Sequence, residues 1–272
     1  MKKSVLIFFA IILLMAQPIL VKAEQADTYQ KIKEWTPFFG GGKKIFFDSD
    51  FEYSFVNIGA HKFNWKLLTD RLMYLVRGQI PYLEFNWHER DRVSDLTIVP
   101  GCYFQFKDSS LHVETGYGLD VDYIYEFQTT VDYEHRLYKT LFGKIGGRYL
   151  HYKHAGDVFI VSPGFTYYFG NHFLTGNYGM SLTEARRAAH WGSLRLNLSI
   201  LKQVNGYIGG AIGERLFDIY PIAAPKQGGF VIFTGLDFRI FENVKAKTGF
   251  SYSEERPNFI KRSVECGLSI RF

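Results

Sequence analysis

The chain has 272 residues, a formal net charge of +5 and an 18% share of aromatic residues. Its lysines and arginines are spread along the chain instead of forming runs, which argues against nucleic acid as a partner. Charged or polar residues recur every few positions beyond the N-terminus, which excludes a bundle of membrane-spanning helices. With 26 glycines, 26 phenylalanines, 18 tyrosines and only 8 prolines, the composition is typical of many strands joined by turns.

Residues 1–23 have the features of a secretory signal peptide. Lysines precede an apolar run from Val5 to Met15, and Val21-Lys22-Ala23 is a small-residue cleavage site before Glu24. The alternative is an uncleaved membrane anchor, but Gln17 and Pro18 interrupt the run before the roughly 18 apolar residues of a spanning helix accumulate. We therefore predict an exported protein whose mature chain starts at Glu24.

Residues 24–43 form a lead-in to the first predicted strand. Thr28 to Trp35 could form one or two helical turns, and Gly40-Gly41-Gly42 is a flexible break. We predict that this lead-in is a periplasmic arm or a partial plug, and that residues 44–272 form a separate barrel domain.

From Lys44 onward, segments of roughly 11 to 15 residues alternate with turn signals, as expected for tilted strands that cross a membrane. Apolar residues alternate with small or polar ones, most clearly from Leu111 to Val121, so that each strand has two different faces. We predict an all-β, transmembrane, antiparallel up-and-down β-barrel of about 14 strands, with 12 to 16 as the range. The predicted strands are 44–57, 61–76, 79–89, 94–107, 110–122, 124–138, 140–153, 157–169, 171–183, 190–202, 204–216, 229–241, 243–254 and 259–272.

The last predicted strand fixes the orientation. Its apolar face, formed by Val264, Leu268, Ile270 and Phe272, is the predicted C-terminal signal for the barrel-assembly machinery. A closing strand ends on the periplasmic side, so connections should alternate between short inner turns and longer outer loops. We expect the longest outer loop around Pro221 to Pro225, with a tight outer hairpin at Tyr123 as an exception. A soluble β-sandwich, which would bury the apolar faces, is the alternative fold.

The two cysteines, Cys102 and Cys266, belong to predicted strands that are not neighbours. Both are on the apolar face, too far apart for a disulfide bond. We predict two free, lipid-facing thiols.

The polar faces divide the predicted lumen by charge. One wall is acidic and the other basic, which suggests either an interior held together by ion pairs or a transverse field across a water-filled pore. The acidic wall comprises Asp48, Asp50, Glu52, Glu84, Glu114, Asp120, Asp122, Glu126, Asp132 and Glu134. The basic wall comprises Lys144, Arg148, Arg195, Arg239, Lys245, Lys247 and Arg271.

No catalytic arrangement is recognisable in the sequence. None of the eight histidines is followed by a serine two positions on, the element that lipid-cleaving outer-membrane barrels carry. His151 and His154 with Asp157 resemble a metal site only weakly, because no third nitrogen or sulfur ligand has a supporting spacing. We therefore predict no catalytic residues, no metal and no cofactor.

One segment with several aromatic residues and glycines reads Gly156-Asp157-Val158-Phe159-Ile160-Val161-Ser162-Pro163-Gly164-Phe165-Thr166-Tyr167-Tyr168-Phe169-Gly170, with Phe173 to Leu182 after it. This segment resembles the YaiO-like family of outer-membrane β-barrels. A repeated aromatic-glycine pattern extends the likeness loosely from Phe51 to Phe272. The resemblance implies an outer-membrane location and one barrel domain, and it carries over no catalytic residues. Some relatives have helical repeats ahead of the barrel, but residues 24–43 are too short for one repeat of about 34 residues.

These observations predict an integral outer-membrane β-barrel, non-enzymatic, with a structural, surface or interaction role. One alternative is a narrow channel for polar solutes or a polysaccharide, and another is a lipid-modifying enzyme. The expected partners are outer-membrane lipid, lipopolysaccharide and the barrel-assembly machinery, whereas the oligomeric state stays open.

Overall fold

The computed structural model describes residues 45–76, 78–91, 93–153, 156–183, 188–214, 228–256 and 258–272. The predicted signal peptide, the lead-in, the loop around Pro221 to Pro225 and His154 lie outside these residues. In the described part of the chain, no helix is long and apolar enough to cross a membrane. The strands are β1 Ile45–Ile58, β2 His61–Tyr74, β3 Gln79–Arg90, β4 Val93–Gln105, β5 Ser109–Leu119, β6 Phe127–Tyr138, β7 Leu141–Tyr152, β8 Gly156–Phe169, β9 His172–Thr183, β10 Ala188–Leu201, β11 Val204–Glu214, β12 Gly228–Phe241, β13 Val244–Glu255 and β14 Phe259–Arg271.

Each strand pairs with its sequence neighbours, and β1 pairs with β14, so the sheet closes into an antiparallel up-and-down barrel. The closing pair runs from Phe46 opposite Arg271 to Ile58 opposite Phe259. Beyond β14, the Phe272 N–H still donates to the Ile45 carbonyl at 2.9 Å. Closure satisfies the edge-strand hydrogen bonds that an open sheet would leave exposed, which a bilayer does not tolerate. The predicted fold and strand number are confirmed.

The two faces of each strand meet different surroundings. On β1, Phe46, Ser54 and Val56 are buried whereas Ile45 and Phe55 are exposed. Side chains alternate along a strand and cross-strand partners share a face, so the register extends this assignment around the barrel. The exposed face is mostly apolar around the barrel, with charged exceptions such as Lys66, Asp70 and Glu89, which suits contact with lipid and not a soluble sandwich. It carries, among others, Leu72, Phe85, Tyr117, Tyr133, Ile145, Phe159, Tyr178, Ile208, Ile232, Phe250 and Val264.

The connections differ between the two ends of the barrel. At the end that carries Ile45 and Phe272, here called the terminal end, they are 75–78, 106–108, 139–140, 170–171, 202–203 and 242–243. At the opposite end, the loop end, they are 59–60, 91–92, 120–126, 153–155, 184–187, 215–227 and 256–258. The predicted alternation holds overall, with 59–60 and 91–92 as short exceptions.

One predicted turn was wrong. The expected tight hairpin at Tyr123 is the connection 120–126, between β5 and β6. Asp120 has a φ of 52°, a left-handed conformation that ends the strand pairing. The cause lies in tertiary contacts described below, which compete with continued strand pairing in this segment.

Both cysteines are free, as predicted. Cys102 is on β4 and Cys266 is on β14, and each shares the outward face with apolar partners, Val113 and Phe51 respectively. Cys266 is exposed and Cys102 is half-buried.

Candidate functional site: the charged lumen

Two ion pairs lie inside the barrel at the seam where it closes, one between β14 and β1 and one between β13 and β1. Lys261 Nζ on β14 is 2.6 Å from Glu52 Oε1 on β1. Lys247 Nζ on β13 is 3.0 Å from Asp50 Oδ2, also on β1. All four groups are about a quarter exposed, so these pairs are stronger than surface pairs and still reachable by water. Acidic β1 therefore meets the basic strands β13 and β14 at this seam.

The second boundary between acidic and basic strands lies at β6 and β7. Lys144 Nζ on β7 is 3.3 Å from Glu134 Oε2 on β6. Nearer the terminal end, Arg136 Nη1 is 3.0 Å from Asp108 Oδ1 in the connection 106–108. Because the barrel is closed, the predicted acidic and basic walls meet at both boundaries, and charges pair there.

A network of polar side chains covers the inward face from β2 to β6. Arg71 forms an ion pair with Glu84, and its guanidinium lies 4.9 Å from the ring centre of Tyr82. The Tyr82 hydroxyl donates to Glu114 Oε2 at 2.6 Å and is 2.7 Å from His112 Nε2. The network consists of charge-assisted hydrogen bonds, which are the strong class.

The network ends at a water-accessible carboxylate. His112 Nδ1 is 3.3 Å from Asp132 Oδ2, and Tyr103 stacks on the His112 ring at 4.2 Å. The Asp132 side chain is 51% exposed although it points into the barrel. The lumen is therefore reachable by solvent at this position.

Glycine makes room for one ring of this network. A Cβ at Gly101 would collide with the ring of Tyr82, its cross-strand partner. The ring therefore lies flat on the β4 backbone, which places its hydroxyl between His112 and Glu114. Here the absence of a side chain is the structural requirement.

The connection 120–126 folds towards the lumen and is held by one carboxylate. Asp95 on β4 is 1% exposed, and its oxygens accept the backbone N–H groups of Asp122, Tyr123 and Ile124, each at 3.0 Å. Ile124 in the same segment is buried. A carboxylate that accepts several backbone N–H groups fixes the backbone strongly.

Contacts between Arg90 and two aromatic rings also hold the connection 120–126 in place. The guanidinium of Arg90 lies 4.3 Å from the ring centre of Tyr123 and 4.5 Å from that of Trp65. Burial raises the pKa of the Tyr125 phenol to about 12, so this group stays neutral at physiological pH. The connection 120–126 is therefore an inward-folded segment that narrows the loop end, and we call it the inner loop.

The strands opposite the inner loop present an inward face of a different character. In the described strands β8, β9 and β11, no inward position carries a charged side chain, and β10 contributes Arg195. We call this face the neutral sector. Its polar members, assigned by the strand register, include Ser162, Thr166, Thr175, Asn177, Ser181, Ser193, Asn197 and Asn205.

Arg195 is held in a defined orientation within the neutral sector. Its guanidinium carbon lies 4.0 Å from the ring centre of Tyr207, and its Nε donates to Asn197 Oδ1 at 3.0 Å. Tyr207 itself lies flat on the backbone, where a Cβ at Gly235 would collide with its ring. Arg195 is exposed, and it forms no ion pair with any residue that the structure describes.

Most predicted wall residues are on inward faces, but three are not on strands. Asp120, Asp122 and Glu126 belong to the inner loop and not to a strand, and their contribution to the acidic wall stays a prediction. The other predicted wall residues share the inward face with buried or paired residues. They are the acids Asp48, Asp50, Glu52, Glu84, Glu114, Asp132 and Glu134 and the bases Lys144, Arg148, Arg195, Arg239, Lys245, Lys247 and Arg271. The transverse field that this division suggests stays a prediction.

Sequence reasoning missed four inward charges that matter for the geometry. Arg71 and Arg90 are basic residues within the acidic half, Lys261 pairs at the closing seam, and Asp95 anchors the inner loop. The alternation in β4 puts Asp95 on the polar face, which is a signal of its orientation. No local pattern marks it as the acceptor for a loop distant in sequence.

His151 lies on the outward face at the loop end. The Nδ1 atom of His151 is 2.7 Å from Asp157 Oδ1, and the same oxygen accepts a hydrogen bond from the Tyr149 hydroxyl at 2.9 Å. The Nε2 atom of His151 is 3.6 Å from Glu126 Oε2. Among the described residues, no group of three His, Cys, Asp or Glu side chains is arranged to bind a metal ion. The predictions of no metal and no cofactor stay predictions.

The predicted assembly signal has the expected orientation. Val264 and Leu268 are exposed on the outward face of β14, Ile270 shares that face through its pairing with Phe47, and Phe272 is exposed just beyond the strand. Their role in assembly stays a prediction.

A closed barrel with an apolar exterior and a charged, solvent-reachable interior defines an outer-membrane β-barrel protein. The chain belongs to the family of the YaiO membrane beta barrel domain, whose model matches residues 44–210. The predicted resemblance is confirmed. No curated protein matches the sequence.

Solved structures share the fold at low sequence identity. The CymD monoaromatic hydrocarbon channel matches with a TM-score of 0.64 at 7% identity, over 85% of this chain and 89% of that one. A bacterial polysaccharide outer membrane secretin gives 0.62 at 9% identity, over 86% and 100%. The NanC porin gives 0.52 at 10% identity, over 82% and 100%. At these identities the likeness concerns the fold alone.

Proposed function

We propose that this protein is a channel through which small polar solutes diffuse across the outer membrane. The observation that carries the proposal is the solvent exposure of inward charged groups, with Asp132 at 51%. A barrel with a purely structural role has no need of accessible charges, and unpaired ones cost free energy in a dry interior.

The distribution of polar groups supports the same function. Ion pairs hold the closing seam and the β6–β7 boundary, whereas the neutral sector presents hydroxyl and amide groups on its inward face. The inner loop narrows one side of the loop end through Asp95. A narrowed, polar path selects solutes by size and by hydrogen bonding. Several barrels of similar fold are described as channels or porins, which adds support.

Planar-bilayer recording with the purified full-length protein tests the proposal. Discrete conductance steps are expected, and Asp132→Asn should shift the ion selectivity towards anions because it removes an accessible lumenal negative charge. Glu242→Gln, at a turn of the terminal end, removes a negative charge outside the strands and is the matched control.

Protein that is folded, as judged by heat-modifiable mobility, but that never conducts would overturn the channel proposal. That result would favour the structural or interaction role. Mass spectrometry of membrane lipids from cells with and without the protein addresses the enzymatic alternative, since a lipid-modifying enzyme would change a lipid species.

A further inference from the structure

We propose that Arg195 is a binding site in the lumen for the carboxylate of a hydroxylated monoanionic solute, such as a sugar acid. This inference rests on the proposed channel function, because the solute reaches Arg195 only through the lumen. It specifies which solutes the channel binds and which residue binds them.

The guanidinium of Arg195 is preorganised for such a ligand. Tyr207 supports one face of the group, and Asn197 holds Nε, so the plane of the guanidinium is fixed before a solute arrives. The two terminal nitrogens, Nη1 and Nη2, have no partner among the described residues. Two parallel N–H groups match the two oxygens of a carboxylate, and a fixed fork loses less conformational entropy on binding than a free one.

The support under Arg195 is itself built into the barrel wall. The ring of Tyr207 fits against Gly235, where no Cβ could be accommodated, and Thr234 donates its hydroxyl to the Tyr207 carbonyl at 2.9 Å. Gly209 is the cross-strand partner of Arg195 and offers no side chain that would obstruct it. The arrangement involves three adjacent strands, β10 to β12, and is not a single flexible side chain in solvent.

The surroundings favour one negative charge together with hydroxyl groups. Thr175 is the cross-strand partner of Arg195, and Asn177 with Ser193 forms the next inward pair, so hydroxyl and amide groups flank the fork. On β12 and β14, Asp237 and Glu265 share the inward face and offer no cation to a second carboxylate. Lys247 is already paired with Asp50. A monoanion therefore fits better than a dianion.

Block of single-channel current by three related solutes tests the site: glucose, glucuronate and glucarate, which carry no, one and two carboxylates. Glucuronate should block with saturation and more tightly than the other two. Arg195→Gln should weaken the glucuronate block about tenfold or more, since a charge-assisted bidentate contact is of that size. Arg195→Lys, which keeps the charge and loses the fork, should recover only part of the block.

Arg239→Gln is the matched control, because it removes the same charge from the inward face of β12, away from Tyr207. Equal weakening by Arg195→Gln and Arg239→Gln would overturn the site in favour of a general field effect. Equal block by glucose and glucuronate would overturn the carboxylate preference.

Calorimetric titration of glucuronate into the detergent-solubilised full-length protein separates the two proposals. Binding that is lost in Arg195→Gln supports the site even if bilayers show no conductance, and that outcome would count against the channel alone. Conductance without any glucuronate binding or block would count against the site alone.

Discussion

Lys261 and Glu52 form a 2.6 Å ion pair across β14 and β1, the two strands whose pairing closes the barrel. The Ser54 hydroxyl also donates to Glu52 at 2.7 Å and lies 2.9 Å from the Ser263 hydroxyl. Polar contacts from both strands thus converge on the seam inside the barrel. The strands β1 and β14 can pair only after the whole chain has been synthesised, because they are its first and last strands. Opposite charges on the two strands favour this pairing.

Removing either partner of this pair should destabilise the folded barrel. In a double-mutant cycle with Glu52→Gln and Lys261→Gln, we expect a coupling free energy of about 1 to 3 kcal/mol, because a half-buried charge loses its partner. Unfolding of the barrel in urea, followed by heat-modifiable mobility, provides the measurement.

Lys66 and Glu89 are the control for that cycle. They pair at 2.8 Å, on the outward face towards the loop end. The Lys66 side chain is 35% exposed, against 23% for Lys261, so this pair should couple by less than about 1 kcal/mol. Equal coupling in both cycles would contradict a special role for the closing seam.

Loosening the inner loop should widen the channel. Asp95→Ala removes the acceptor of the backbone N–H groups of Asp122, Tyr123 and Ile124 and should cost local stability of about 2 to 4 kcal/mol. Higher single-channel conductance and faster proteolytic cleavage within 120–126 are the expected outcomes.

Asp108→Ala provides the comparison for the inner-loop prediction, because it removes an aspartate from a connection at the terminal end. It should leave cleavage within 120–126 unchanged. Unaltered conductance in Asp95→Ala would show that the inner loop does not limit passage.

The two thiols should stay reduced and differ in reactivity. Replacing Cys102 and Cys266 together by serine should leave the mobility on non-reducing gels and the folded yield unchanged, since no disulfide bond joins them. With single-cysteine variants in detergent, maleimide should label the exposed Cys266 faster than Cys102, as followed by mass shift. A mobility change abolished by reductant would contradict the assignment.

A charge at Phe272 should impair membrane insertion. The side chain is 60% exposed on the outward side of the terminal end, and its N–H bonds to Ile45. Phe272→Asp should lower the outer-membrane yield several-fold, because it puts a charge at the lipid surface. Phe272→Tyr, which keeps an aromatic ring, should restore the yield in the same fractionation experiment.

Much of the fold could be predicted because strands carry their orientation in local sequence. The alternation from Leu111 to Leu119 assigns each side chain to a face without knowledge of its neighbours. The inner loop could not be assigned in the same way, since Asp120 and Asp122 continue the alternation, which predicts a longer β5. Their turn-forming character was the available signal, but the deciding contact comes from Asp95 on another strand.

The sequence by itself determined a barrel of about fourteen strands, each with an apolar and a polar face, because a period of two and turn residues are local properties. Only the tertiary structure decided which charges are paired, such as Lys261 with Glu52, and which are left available, such as Arg195 on Tyr207. It also decided that residues 120–126 turn inward. These outcomes depend on distances between strands that closure of the barrel sets, and charge pairing depends steeply on distance.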